Sequence, residues 1–326
     1  MLKLGLAIAL EKDATSHTKT FLQAVDYCRI VIPGLDGISI QIENDQKSVR
    51  GGRDAAAKLL KWGAQAVVGH YSSAAALGAL PDYFDRGVPV LLPASTAVKL
   101  DNFGRQASRV LFRYQRSDKE LIDGCIREIA ASGHAGPIVF VIEEGPYGDA
   151  FAALIESSPG IFIFRFTPDD IDAKAFYVML GHDSFVQQSV RALTRIFIRG
   201  LALLDDAYHD GALEAIKCAP GRVFTVHSKV VIKRHVSLRP FWNETVLALA
   251  AAVRLLETMG DPRRDAREID SAMGVQKFDE KGIYAESGFV VHDLSNEVRK
   301  NRQHTYIEPT RCAETNRPRA FFMGNV

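Results

Sequence analysis

Small hydroxyl-bearing residues stand where two apolar strands end. Val68-Gly-His-Tyr-Ser-Ser-Ala-Ala-Ala76 runs from an apolar strand through a tight turn into a helix, which puts Ser72 and Ser73 in the helix's first turn. Backbone N–H groups there lack intrahelical partners and the positive end of the helix dipole points outward, so the place suits a carboxylate, with the serine hydroxyls adding donors. Ser72 has a second reading as a plain N-cap. Leu91-Leu-Pro-Ala-Ser-Thr96 ends the next strand with Ser95 and Thr96, at the edge where open α/β sheets bind ligands. Two such edges in succession point to a carboxylate site.

Other chemistries lack their residues. No G-x-x-x-x-G-K-[ST] phosphate loop exists, no G-x-G-x-x-G follows a strand, and neither G-x-S-x-G nor H-E-x-x-H occurs. His70, His182 and His209 lie beside strand ends without a neighbouring ligand at metal spacing, so each reads as a hydrogen-bonded loop residue and no metal or cofactor is implied. Cys28, Cys125, Cys218 and Cys312 are far apart with no C-x-x-C pair and read as reduced core thiols.

The elements that must position these residues alternate. Apolar strands over 2–10, 38–42, 66–69 and 88–92 are separated by helices whose apolar faces carry Phe21, Val25 and Cys28, then Ala56, Leu59, Leu60 and Trp62, then Leu77, Leu80 and Phe84. Strands that are apolar throughout, alternating with amphipathic helices, predict a parallel sheet covered on both faces. A second set begins with the capping box Ser117-Asp-Lys-Glu120 and continues with strands over 137–142, 161–166, 175–180, 196–204 and 222–226 and helices over 147–155 and 185–195. The alternation then breaks. Residues 229–240 read as an extended crossover, 241–256 as a buried helix, 265–273 as a shorter helix, 278–282 as a turn and 288–292 as a strand, while the basic segment from 296 onward reads as a solvated tail.

Composition bounds the class. The 326 residues, 47% hydrophobic and 24% charged, exceed one ordinary domain and exclude a disordered chain. Forty basic against 39 acidic residues give a formal charge of +1, with no polycationic signature for nucleic acid. The apolar run at the N-terminus is followed at once by Glu11, Lys12 and Asp13, so it predicts a buried first strand rather than a signal peptide. No stretch approaches the ~20 apolar residues of a membrane span. The location expected from the sequence as it stands is cytoplasmic, or periplasmic if the natural precursor carries a signal.

Several of these segments together resemble a known family. Gly69-His-Tyr-Ser-Ser73, then Tyr83-Phe-Asp-Arg-Gly-Val-Pro-Val90, then Leu92-Pro-Ala-Ser-Thr96 is similar to the first lobe of type I periplasmic binding proteins. The branch is the leucine/isoleucine/valine-binding proteins of branched-chain amino acid ABC transporters. Tyr147-Gly-Asp-Ala-Phe151 resembles the family's Tyr-Gly element in the second lobe, and Phe278-Asp-Glu-Lys-Gly282 its turn near the last crossover. The likeness spans 1–292 and is strongest over 60–98. The sequence departs from the family in lacking a glycine-rich loop over 11–19, in lacking cysteines around 46 and 71, and in its short segment between 221 and 241.

The resemblance implies an α/β fold of two doubly wound parallel-sheet lobes, joined by three crossover strands, with a ligand cleft between them. Lobe 1 would take residues 1–115 and 236–283, lobe 2 residues 116–235 and 284–300, and 301–326 would form a C-terminal tail. It further implies non-enzymatic binding of an amino acid or related small amide or carboxylate by cleft closure. Tyr71, Ser72, Ser73, Ala94, Ser95 and Thr96 would line the site from lobe 1, with Ser72 or Ser73, Ala94 and Thr96 holding an α-carboxylate. Tyr147 would reach it from lobe 2, and Asp205, or its neighbour Asp206, would receive the α-ammonium, a role it shares with the alternative of capping the helix near Ala207. Trp242 would line the side-chain pocket or pack in the core. The partner would be an ABC permease, or alternatively a cytoplasmic regulatory protein controlled by the ligand. A third reading is an enzyme on the same scaffold that recruits His70, Tyr147 and Asp205.

Overall fold

The computed structural model describes residues 1–103, 110–155, 161–165, 171–195, 198–204, 207, 210–216, 221–229, 241–259 and 267–295. The chain opens with β1 (Lys3–Ile8), α1 (Ser16–Val31), β2 (Ser39–Asn44), α2 (Val49–Trp62), β3 (Ala66–Gly69), α3 (Ser73–Arg86), β4 (Val90–Leu92) and β5 (Leu111–Arg113). Its five strands form one wholly parallel sheet in the order β2-β1-β3-β4-β5. Side chains alternate across the sheet. Leu4, Leu6 and Ile8 of β1 face Phe21, Val25 and Cys28 of α1, whereas Ala7 joins Ala56, Leu59 and Leu80 of α2 and α3 on the opposite face. The α2–α3 contact depends on glycine. A Cβ on Gly52 would lie 2.0 Å from the Ala75 carbonyl oxygen, and one on Gly78 2.0 Å from that of Val49.

The second set runs α4 (Asp118–Ala131), β6 (Ile138–Ile142), α5 (Pro146–Ile155), β7 (Ile161–Phe164), β8 (Phe176–Leu180), α6 (Asp183–Leu193), β9 (Gly200–Leu204), α7 (Asp210–Ile216) and β10 (Arg222–Lys229). The chain then returns to the first sheet as α8 (Trp242–Glu257), buried along most of its length against α1, β3 and β4. The hairpin β11 (Glu268–Ser271) and β12 (Gly274–Lys277) packs on α8, and β13 (Gly288–Asp293) completes the second sheet. That sheet has the order β13-β10-β9-β8-β6-β7, parallel except for β13, which runs antiparallel to β10. Cys28 and Cys125 are buried free thiols, and burial pushes Cys28 up to about 12. Among the described residues no helix is long and apolar enough to cross a membrane.

The helix expected over 265–273 is a correction. Residues 268–271 are a strand with alternating burial, Ile269 and Ser271 inward and Glu268 and Asp270 outward, a period-two pattern too short to stand out from a charged helix turn. Gly274, at φ +102, closes the hairpin. The crossover expected over 229–240, the tail from 296, and Asp205, Asp206, His209, Cys218 and Cys312 lie outside the described residues, apart from Lys229 at the end of β10.

The crossings orient the two sheets. Ile283 bridges Arg113 at the carboxyl end of β5, and Gly288 pairs with Lys229 at the carboxyl end of β10. The few residues between Ile283 and Gly288 reach at most roughly 18 Å, so the carboxyl edges of both sheets border the same crossover. Arg113 N–H donates to the Gly282 carbonyl at 2.7 Å, Tyr284 N–H to that of Arg113 at 2.8 Å, and Arg116 Nε to that of Ser287 at 2.8 Å, which binds the two described crossings to each other.

Candidate functional site

Every hydroxyl proposed from the sequence on the first sheet lies at its carboxyl edge, and hydrogen bonding sorts them into two kinds. Ser95 is fully buried and its Oγ donates to the His70 carbonyl at 2.6 Å. Ser73 Oγ accepts the N–H groups of Thr96 and Ala97, both at 3.1 Å, tying the start of α3 to the loop after β4. These two hydroxyls are spent inward. Ser72 is the N-cap of α3 but makes no side-chain cap bond, and among the described residues neither its hydroxyl nor that of Thr96 has a hydrogen-bond partner. Both residues are half-buried, beside the unpaired first N–H groups of a 14-residue helix. Ala94, in the same loop after β4 as Thr96, is 6% exposed. A donor-rich edge of this kind can take a carboxylate.

The edge is held from below. His70 follows Gly69 with φ +57, a left-handed backbone that a non-glycine residue adopts at a cost of about 1–2 kcal/mol. Its ring lies between Asp45 and Tyr83, with Nδ1 3.1 Å from Asp45 Oδ2 and Nε2 3.1 Å from the Tyr83 hydroxyl. His70 and Tyr83 are 0% exposed and Asp45 is 1% exposed. A carboxylate only accepts, which assigns a proton to Nδ1. Burial, with the charges of Asp45 and Asp82 added, pushes the Tyr83 phenol up, so it stays a donor. Among the described residues, no group of three or more His, Cys, Asp and Glu side chains is placed to hold a metal ion.

Tyr71 does not present its hydroxyl openly. The phenol bonds to the Thr245 hydroxyl and lies 3.4 Å from the Phe241 carbonyl. Burial pushes it up, against the Thr245 hydrogen bond and with the Glu244 charge. Its ring meets Phe21 edge-on at 5.3 Å and Phe241 at 5.6 Å. Trp242, the first residue of α8, turns to Tyr27 of α1 at 5.7 Å and packs against the core. Its neighbour Phe241 stands at the edge instead, with φ +60, half-buried and edge-on to His17 at 5.2 Å. Sequence reasoning missed both Phe241 and His17. The pair Phe241-Trp242 carried a signal, but periodicity does not say which ring a helix start turns inward.

The second sheet contributes a different set. Tyr147, the second residue of α5, is half-buried, with its ring 5.0 Å from both Phe151 and His182. Glu143, just past β6, accepts with one oxygen both the His182 backbone N–H at 2.9 Å and its Nδ1 at 2.6 Å, across to the end of β8. A Cβ on Gly181 would lie 2.5 Å from Phe185 Cδ1 and 3.0 Å from Glu143 Cβ, which keeps this turn tight. Glu143 had no sequence signal beyond its place after a strand. A cavity of about 190 Å³ lined by Ser132, His134, Phe176, Arg199 and Arg222 lies at the amino ends of β8 and β10, away from these edges.

Solved structures share this fold. A leucine-binding protein from Thermotoga maritima superposes with a TM-score of 0.62 at 14% identity, covering 91% of this chain and 100% of its own. A branched-chain amino acid transporter substrate-binding protein from Streptococcus pneumoniae, in complex with isoleucine, gives 0.61 at 14% identity over 89% of this chain and 99% of its own. An ABC-transporter solute-binding protein from R. palustris, in complex with benzoate, gives 0.64 at 13% identity over 90% and 93%. No family model and no curated protein matches the sequence. At such identities the likeness is one of fold, and the fold is that of the type I periplasmic binding proteins, two parallel-sheet α/β lobes with an antiparallel edge strand on the second.

Proposed function

We propose that the chain is a non-enzymatic binding protein that takes an amino acid or a related small carboxylate between the carboxyl edges of its two sheets. The lobes, divided near residues 115, 235 and 284, close on the ligand by a hinge motion. The observation that carries this reading is the sorting of the hydroxyls. Ser73 and Ser95 are consumed in building the edge, which leaves Ser72 and Thr96 as open donors beside the start of α3. The fold neighbours support the ligand class, since their own ligands are leucine or isoleucine in some and benzoate in another. In this reading Tyr147 meets the ligand from the second lobe, Asp205 or Asp206 receives an ammonium where the ligand has one, and the partner is an ABC permease.

Isothermal titration with a panel of amino acids, amides and aromatic carboxylates tests it. At least one compound should bind, and Ser72→Ala or Thr96→Val should each weaken it by at least about tenfold, or ~1.4 kcal/mol, with the melting temperature little changed. Ser95→Ala should lower both affinity and melting temperature. Flat titrations across the panel reject the reading.

A further inference from the structure

We infer that the ligand taken by this site carries a planar aromatic ring, and that Phe241 is the residue that selects it. The inference rests on the carboxylate-binding reading above and narrows it. Phe241 occupies a left-handed backbone conformation, φ +60 and ψ 10, which side-chain-bearing residues seldom adopt. Its carbonyl oxygen accepts the Thr245 N–H at 3.1 Å and the Thr245 hydroxyl at 2.7 Å, while the Tyr71 hydroxyl, whose proton goes to Thr245 Oγ1, lies 3.4 Å away. Strain kept by so many contacts is characteristic of ligand clamps. What it fixes is the ring. Phe241 stands at 61° to His17 and 74° to Tyr71, and all three are half-buried, so a corner of edge-to-face aromatics lies partly open at the first sheet's carboxyl edge.

This corner gathers three separate elements. His17 comes from the start of α1 after β1, Tyr71 from the turn after β3, and Phe241 from the start of α8. Tyr71 is adjacent in sequence to Ser72, so the aromatic corner borders the open hydroxyls. The second sheet's edge carries aromatic groups too, with Tyr147 and His182 at 5.0 Å and an interplanar angle of 52°. An aliphatic guest gains only area burial from such walls, whereas an aromatic guest adds edge-to-face contacts at each ring, enough for about tenfold in affinity.

Benzoate and cyclohexanecarboxylate, alike in charge and size but planar and puckered respectively, are the probes, titrated calorimetrically into the full chain beside leucine. Benzoate should bind at least about tenfold tighter than cyclohexanecarboxylate. Phe241→Leu should cut that ratio to within about twofold, and Phe241→Tyr should keep it. Tyr147→Leu, on another element, should lower the ratio independently of how the Phe241 variants fold. Equal or tighter binding of cyclohexanecarboxylate overturns the inference, as does a Phe241→Leu variant that weakens both compounds by the same factor. Binding of leucine alone also overturns it while leaving the carboxylate reading intact, and failure of all three probes with the rest of the panel rejects both.

Discussion

Asp45, His70 and Tyr83 form a buried polar chain under the turn that carries Tyr71 and Ser72. Its energetic logic is that of satisfied donors. Each contact contributes modestly, but removing one partner leaves the other buried and unpaired, at about 1–3 kcal/mol. Asp45→Ala strands the proton on Nδ1, and Tyr83→Phe strands Nε2 while keeping the ring packing. Each should lower the unfolding free energy of the first lobe's own transition in urea by about 1–3 kcal/mol, and the double variant should lose less than the sum because both act through His70. Full additivity would show that the three do not act as a unit. At this scale the sequence was half legible. The hydroxyls at 72, 73, 95 and 96 stand out by type and place, yet which are spent and which are open depends on partners from another strand, as Ser73 with Thr96 shows. Phe241 is hidden for a related reason, since its ring meets Tyr71 and His17, which come from distant parts of the chain.

Helices and strands were more readable, because their periodicity and caps are local. The capping box at Ser117 and Glu120 is formed, with Ser117 N–H donating to Glu120 Oε2 at 3.1 Å. Burial alone would raise the Glu120 carboxyl, but the Ser117 N–H and hydroxyl and the Arg116 hydrogen bond and charge outweigh it and hold the carboxyl below its usual range. A carboxyl lowered on folding stabilises above its unfolded value, and that contribution is lost as pH falls through the folded one. Glu120→Gln should therefore cost about 0.5–1 kcal/mol at neutral pH and converge on the parent in acid. Urea midpoints over a pH series read this directly, and a gap that stays constant into acid would refute the role of the charge. Where the local signal failed, at residues 268–277, a short charged segment gives too few positions to separate a period of two from one of 3.6.

For the whole molecule, the division of the core matters most. Among the described residues each sheet is covered by its own two apolar clusters, and no cluster mixes side chains from both sheets. Among the described residues what joins the sheets is the crossing chain and a few hydrogen bonds: the Arg113–Ile283 bridge, Arg116 Nε to the Ser287 carbonyl at 2.8 Å, and the Asp118 N–H to the Thr96 carbonyl at 3.0 Å. Such a link transmits orientation but little cooperativity, because the apolar burial that makes unfolding all-or-none stays within each sheet. The two-lobed plan was readable as a repeat of strand and helix, but this thin coupling was not, since it depends on which residues fail to meet. The ligand-free chain should accordingly depart from two-state melting, with a calorimetric enthalpy larger than the van't Hoff enthalpy in differential scanning calorimetry. In the proposed reading, a ligand held by Ser72 and Thr96 on one edge and Tyr147 on the other binds only the assembled pair. At about 100 times its dissociation constant it should add roughly 2.7 kcal/mol and draw the two enthalpies together. Equal enthalpies without ligand would mean that the crossovers couple the lobes more strongly than their few hydrogen bonds account for. An unchanged ratio at saturation would mean that the bound molecule touches only one of them.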